Sequence, residues 1–253
     1  MAKKHPRHCA YCGQLTHQWT EDHAVSECLW DGRPLPDKSV KVPACLPCNN
    51  YWSVSEGYFR SILAMISKTD RHPILREMFP TVLRHFEADA KFRKSITGTL
   101  RLEPQFNDFG LFTGYSPVAN MDWTQWFIVA GKIARGLYFK DKRRPLPRSH
   151  AVQVWAGEGF WQDVAARAII DQMPEGFAGF GSKNGFDDVF MGKRAPISDD
   201  PDGMVYLFVF YKAVSLFAYT VPVEMQTYID PSHPDQVAIA IAKRQQRKLR
   251  RIK

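Results

Sequence analysis

Cys9-Ala-Tyr-Cys12, Glu21-Asp-His-Ala-Val25 and Val42-Pro-Ala-Cys-Leu-Pro-Cys-Asn49 follow one another within the first fifth of the chain. Two C-x-x-C pairs so separated match the needs of tetrahedral zinc: four soft ligands, with each pair folded into a tight knuckle that offers two. Gly13, directly after Cys12, suits the turn that such a knuckle requires. The spacing therefore predicts one structural zinc held by Cys9, Cys12, Cys45 and Cys48. The alternative is a redox dithiol or a set of unpaired buried thiols. Cys28 lies between the pairs without a partner and reads as a small buried residue.

The residues carried on this staple suggest chemistry. Asp22 is an oxygen donor suited to Mg²⁺ or Mn²⁺. Asn49 places a carboxamide oxygen at the start of a helix expected from about Ala44 or Cys45, just after Pro43. Gln18–His23 and Ser39–Val42 read as short strands joined through the Gly32-Arg-Pro-Leu-Pro36 loop. A hairpin packed on that helix would let Asp22 and Asn49 meet at one hard metal ion while His23 faces water. Each residue also has a plainer reading: His23 as a hydrogen-bonded core histidine, Asp22 as a turn residue, Asn49 as a cap on the second knuckle. Glu56, seven residues after Asn49, either shares its helix face as a further ligand or closes a capping box with Ser53.

The order C-x-x-C, Asp-His, C-x-x-C-Asn resembles the zinc-stapled branch of the HNH, or His-Me finger, nucleases with their ββα-metal fold. Phage junction-resolving endonucleases show the same order of elements. The resemblance covers residues 9 to about 60 and implies specific roles. His23 would be the general base toward the attacking water, with a near-neutral pKa suited to that task. Asp22 and Asn49 would bind one catalytic Mg or Mn ion, leaving 5′-phosphate and 3′-hydroxyl ends on DNA. The chain departs from the family pattern in two places. The middle Asn that orients the histidine is missing from Asp37-Lys-Ser-Val-Lys41, which leaves Asp37, Ser39 or a backbone carbonyl for that task. The Lys often found after the last knuckle is also missing, with Trp52 near its position.

The net charge of +8 on 253 residues is concentrated at one end. Lys243, Arg244, Arg247, Lys248, Arg250, Arg251 and Lys253 supply +7 with no acid among them, while residues 1–57 balance six cations against six acids. Such a tail attracts polyanions without reading sequence, and DNA is the partner that the resemblance implies. A solvated helix end is the alternative. Lys140-Asp-Lys-Arg-Arg144 is a second, smaller basic cluster, read as either a solvated loop or a phosphate contact. Cysteines in close pairs and no secretory pattern at the start suggest a reducing compartment, with cytoplasm as the default. Met204–Val221 has Lys212 as its only charge, but its β-branched and aromatic content reads as two buried strands rather than a membrane span. No membrane partner is expected, and protein partners are open.

The sequence divides into a zinc-bound nuclease-like module (1–57), an α+β domain of unassigned role (58–242) and the basic tail (243–253). Within the larger part, helices are expected from Ser53, over Thr81–Arg93, Trp123–Phe139 and Trp161–Gln172, and from about Pro234. Strands are expected at Thr99–Leu102, Phe109–Gly114, Val152–Trp155 and in the two late apolar runs. Ser182–Phe186 reads as a turn. Trp123, Trp126, Phe127 and Tyr138 read as core packing rather than a base-stacking stripe. Three functions fit this sequence. The first is a metal-dependent DNA endonuclease. The second is a catalytically inactive zinc-stapled nucleic-acid-binding protein. The third is an interaction protein whose zinc serves only to stabilise its N-terminus.

Overall fold

Trp123–Lys142 is a helix without a polar face, yet Lys132 and Arg135 lie in its buried middle, and every residue from Ile128 to Tyr138 is buried. A helix that is apolar all round has to be covered on every side, and the rest of the chain provides the cover. The computed structural model describes residues 5–35, 39–66, 72–156 and 189–250. In chain order these form β1 (Arg7–His8), β2 (Leu15–Thr16), β3 (Trp19–His23), β4 (Lys41–Cys45), α1 (Leu46–Met65), α2 (Pro73–Ala88) and α3 (Ala90–Thr97). They continue with β5 (Arg101–Phe106), β6 (Phe112–Val118), α4 (Trp123–Lys142), β7 (His150–Ala156), β8 (Phe190–Pro196), β9 (Met204–Phe210), β10 (Val214–Pro222) and α5 (Pro234–Arg250). The architecture is α+β, as expected. The helices expected at Trp161–Gln172 and the turn at Ser182–Phe186 lie outside the described residues.

One side of α4 packs on β4 and α1, the other on β7, β9 and β10. The late sheet runs β7-β10-β9-β8, antiparallel throughout. Tyr206, Phe208 and Phe210 alternate into the main core, while Val205 and Leu207 join Phe217 in a smaller cluster on the opposite face. The late apolar run is thus two strands, and no helix among the described residues is long and apolar enough to cross a membrane. Tyr211 and Lys212 both have positive φ, and Ala213 N–H bonds Phe210 O, which makes a primed turn without Gly or Asn. Tertiary contact holds it there: Tyr211 is buried and donates its hydroxyl to Leu29 O at 2.6 Å.

Close approach to α4 is secured at two glycines. A Cβ on Gly136 would lie 2.6 Å from Ala24 Cβ, just after β3, and one on Gly131 would collide with Ser232. Arg135 Nη2 donates to Asp230 Oδ2 at 2.6 Å, and the same carboxylate accepts from Val152 N and Ser232 N. This fully buried pair ties α4, β7 and the approach to α5 together.

Several local expectations need revision. α1 is one unbroken helix, so it starts neither a second helix nor a capping box at Ser53, whose hydroxyl bonds back to Asn50 O. It also runs through the expected 57/58 division, and a single apolar cluster extends from Cys9 to Val237. α2 begins at Pro73, eight residues before Thr81, and accommodates Pro80 because Ile74, Leu75, Met78 and Val82 are buried along one face. It stops at Asp89, whose carboxylate caps the next helix by accepting from Lys91 N and Phe92 N. β8, with Gly and two cations, gave no strand pattern. Trp126 and Tyr138 are core as expected, but Trp123 is 39% exposed.

Candidate metal centre and adjoining charge cluster

β1 and β2 form a small hairpin that turns over Cys9–Gly13. Gly13 takes φ +74°, and its N–H bonds Cys9 O at 3.0 Å. Ala10 N–H then reaches Pro43 O at 2.8 Å, which hangs this first knuckle on β4. The second knuckle forms where β4 passes directly into α1: Cys45 ends the strand and caps the helix, and Cys48 sits in its first turn. All four Sγ atoms lie within 4.8 Å of one another, with Cys12 Sγ and Cys45 Sγ 3.8 Å apart. Zinc–sulfur bonds of about 2.3 Å put the corners of a tetrahedron about 3.8 Å apart, so the cluster fits a structural metal ion such as zinc. The contacts that hold Cys9 far below the ordinary thiol range, from Cys12 first and then Cys45 and Cys48, also help push Cys48 far above it. A divalent ion at the centre of the four sulfurs would hold all four as thiolates. Among the described residues, this is the one group of three or more His, Cys, Asp or Glu side chains close enough to share an ion.

β3 pairs antiparallel with β4 from Trp19↔Cys45 to His23↔Lys41, and α1 follows β4 without a loop. Alternation puts Thr20 and Asp22 on one face of β3 and His23 on the other. Asn49 Nδ2 donates to Thr20 Oγ1 at 3.1 Å, which brings Asn49 to the face that carries Asp22. Asp22 accepts from the Tyr11 hydroxyl at 2.6 Å and from Lys132 Nζ at 3.0 and 3.2 Å. The same ammonium donates to Glu56 Oε1 at 2.5 Å and His23 O at 3.0 Å. Burial alone would push Lys132 down, but Glu56 and Asp22 outweigh it and hold the lysine above its usual range. Tyr11, between the first two cysteines, is raised well above the phenol range by burial and then by Asp22, so it remains a donor.

His23 sits at the end of β3, with its side chain 12% exposed. Its Nε2 is 2.6 Å from Glu27 Oε1, and its buried Nδ1 has no hydrogen-bond partner among the described residues. Burial, ahead of the neighbouring charges, lowers its pKa from 6.5, which favours the neutral ring. In that form a proton on Nε2 toward Glu27 leaves a free lone pair on Nδ1.

Asp22 and Asn49 therefore share a face, whereas the His23 ring turns toward Glu27 on the other. Asp37 lies outside the described residues, and the residue oriented against His23 is Glu27. Its position four residues downstream was the only clue in the sequence. Lys132, one of two cations inside an apolar helix, was not singled out in the sequence. Cys28, expected to be partnerless, accepts from Ser26 and sits 3.8 Å from Glu56 O, which links the 3-10 turn Glu27–Trp30 to α1.

Of the basic tail, Lys243 is exposed. Arg244 lies over the Tyr51 ring at 5.0 Å and bonds Tyr51 O. The side chains of Arg247, Lys248 and Arg250, and all of Arg251 and Lys253, lie outside the described residues. Comparison with protein families, curated proteins and solved structures gives no match.

Proposed function

We propose that this protein is a metal-dependent endonuclease of the HNH type acting on DNA, stapled by zinc at Cys9, Cys12, Cys45 and Cys48. One observation carries the reading: the cysteine cluster sits where β4 passes into the helix bearing Asn49, the strand bearing Asp22-His23 pairs with β4, and Asn49 reaches the Asp22 face through Thr20. In this reading β3, β4 and α1 form the ββα-metal unit. Asp22 and the Asn49 carboxamide oxygen would hold a Mg²⁺- or Mn²⁺-like ion, which supplies charge neutralisation at the scissile phosphate. The donor set is hard, as such an ion requires. A carboxylate has about four acceptor sites, so Asp22 keeps capacity beyond its three present contacts from Tyr11 and Lys132.

His23 would act as the general base toward the attacking water, with Glu27 holding the ring as the missing middle Asn does in the family. Lys132 favours a second reading, an inactive zinc-stapled nucleic-acid-binding protein, because its ammonium already provides a cation for Asp22 and Glu56.

Supercoiled plasmid incubated with Mg²⁺ or Mn²⁺ separates the two readings. The nuclease reading expects nicking or linearisation that is lost in His23→Ala while one zinc per chain is retained. Intact plasmid under both ions, with salt-sensitive retention of DNA in a gel, supports the binding protein instead.

A further inference from the structure

A cavity of about 760 Å³ opens between the first cysteine knuckle and the segment after α4. Arg7, Arg143, Arg144 and Arg148 line it, and all four are exposed. Among the described residues, none that lines it is acidic. The remaining wall is largely apolar, built from Phe139, Leu146, Pro43, Pro145 and Pro147. Two of the arginines have carboxylate partners outside the cavity, Arg144 with Asp202 and Arg148 with Asp235, and Arg7 lies 4.3 Å over the Trp19 ring. Part of the charge therefore remains for a ligand. Arg143 also holds a left-handed backbone conformation, φ 57°, at the end of α4.

A second cavity, of about 250 Å³, shares Cys12, Gln14 and Arg148 with the first and extends along α5 to Gln245, inside the run of basic residues that ends the chain. The second also borders Cys45 and Cys48 of the metal centre, and the adjoining linings of the two cavities make a track that runs from Arg7 through Arg148 to Gln245.

We infer that this track binds the phosphodiester backbone of a nucleic-acid strand. Guanidinium groups along a rim engage successive phosphates, while an apolar floor receives sugar and base faces. A site for a single free phosphate needs no floor of prolines and no extension along a second helix. The inference rests on the nuclease reading only for the choice of DNA as probe, and it does not require the bound strand to be cut.

The test is fluorescence anisotropy of a labelled single-stranded oligonucleotide of about 20 residues. It uses full-length protein across a NaCl series with no added divalent ion, so the result is independent of cleavage. Each phosphate contact contributes about −0.7 to the slope of log affinity against log salt for single strands. Arg7→Gln/Arg143→Gln/Arg148→Gln should therefore flatten the slope by about 2 and weaken binding at every salt concentration. The control variant Arg84→Gln/Lys91→Gln/Arg101→Gln removes the same charge from α2, α3 and β5 and should keep most of the slope. Zinc content and the melting curve establish that both variants are folded. An unchanged slope in the first variant overturns the inference, and so does an equal loss in the control, which would show an effect of net charge alone. Full displacement of the strand by an equimolar amount of ATP would also overturn it, marking a nucleotide pocket instead of a strand track. Loss of the track with plasmid cleavage intact would move the substrate path elsewhere without touching the catalytic reading.

Discussion

Replacing Lys132 by Met tests the cluster that joins the zinc-stapled hairpin to the rest of the fold. Met keeps the length and apolar stem of lysine but removes an ammonium that touches four oxygens: both of Asp22, one of Glu56 and the His23 carbonyl. Lys132 is 1% exposed, and the Asp22 and Glu56 side chains are 11% and 13% exposed, so water cannot readily replace the lost charge. Removing one partner from a buried ion network costs about 3–5 kcal/mol because it strands the remaining charge. The residual exposure of both carboxylates argues for the lower end, about 3 kcal/mol. For a chain of this size that lowers the melting temperature by about 6–12 °C. Thermal unfolding followed by circular dichroism at neutral pH reads the loss. Adding Asp22→Asn and Glu56→Gln to Lys132→Met removes the stranded charges and should recover at least half of it. Millimolar Mn²⁺ should raise the melting temperature of Lys132→Met more than that of the wild type, since it can occupy the vacated oxygens. A Lys132→Met protein that melts within about 2 °C of wild type, or a triple variant no more stable than the single one, would refute this electrostatic account.

Three further outcomes are expected. Gly136→Ala places a methyl group 2.6 Å from Ala24 Cβ and should cost about 1–3 kcal/mol, read by urea unfolding; a neutral effect would mean that α4 and the hairpin are not in tight contact. Cys48→Ser should abolish stoichiometric zinc, measured by metal release to a chromogenic chelator, and broaden the unfolding transition; retention of one zinc per chain would take Cys48 out of the ligand set. Burial holds His23 below 6.5, so the unfolded chain takes up that proton first, and the contribution to stability present above pH 6.5 declines as the pH falls. Cleavage should accordingly rise from acid pH and level off by about pH 7, and a limb still rising at pH 8 would assign proton transfer to another group.

The parts of this fold that were legible in sequence are those where one local rule dominates. C-x-x-C knuckles, the all-apolar helix at Trp123 and the β-branched late strands each carry their pattern within a dozen residues. Elements governed by distant contacts were not legible. A helix was expected only from Thr81, but burial of Ile74, Met78 and Val82 carries α2 from Pro73 through Pro80. Ser53 and Glu56 had the spacing of a helix start, yet the helix had already begun at the second knuckle, and Glu56 is committed to Lys132. The turn at Tyr211-Lys212 lacks every residue that normally marks it and depends on a hydrogen bond to Leu29, far away in sequence. In the candidate site, Asp22, His23 and Asn49 were singled out by their spacing and by the family resemblance. Lys132, Tyr11 and Glu27 were missed because their roles depend on what folds against them.

The two buried cations of α4 also tie the cysteine-rich segment to the rest of the chain. Lys132 binds toward the N-terminal hairpin through Asp22 and Glu56, and Arg135, three residues on, binds toward the C-terminal approach to α5 through Asp230. One turn of one helix thus neutralises acids from both ends of the chain, and the helix can be buried only when both ends are in place. A metal ion at the four cysteines would fix the shape of the knuckles but would not supply the charge that Asp22 and Glu56 require. That charge comes from residue 132, well outside the segment that resembles a nuclease. Two carboxylates and one ammonium leave the cluster one formal charge short of neutrality, enough to attract a divalent ion but less than a bare carboxylate pair would. Any ion bound at Asp22 must therefore compete with an internal cation, and the position of α4 sets the terms of that competition.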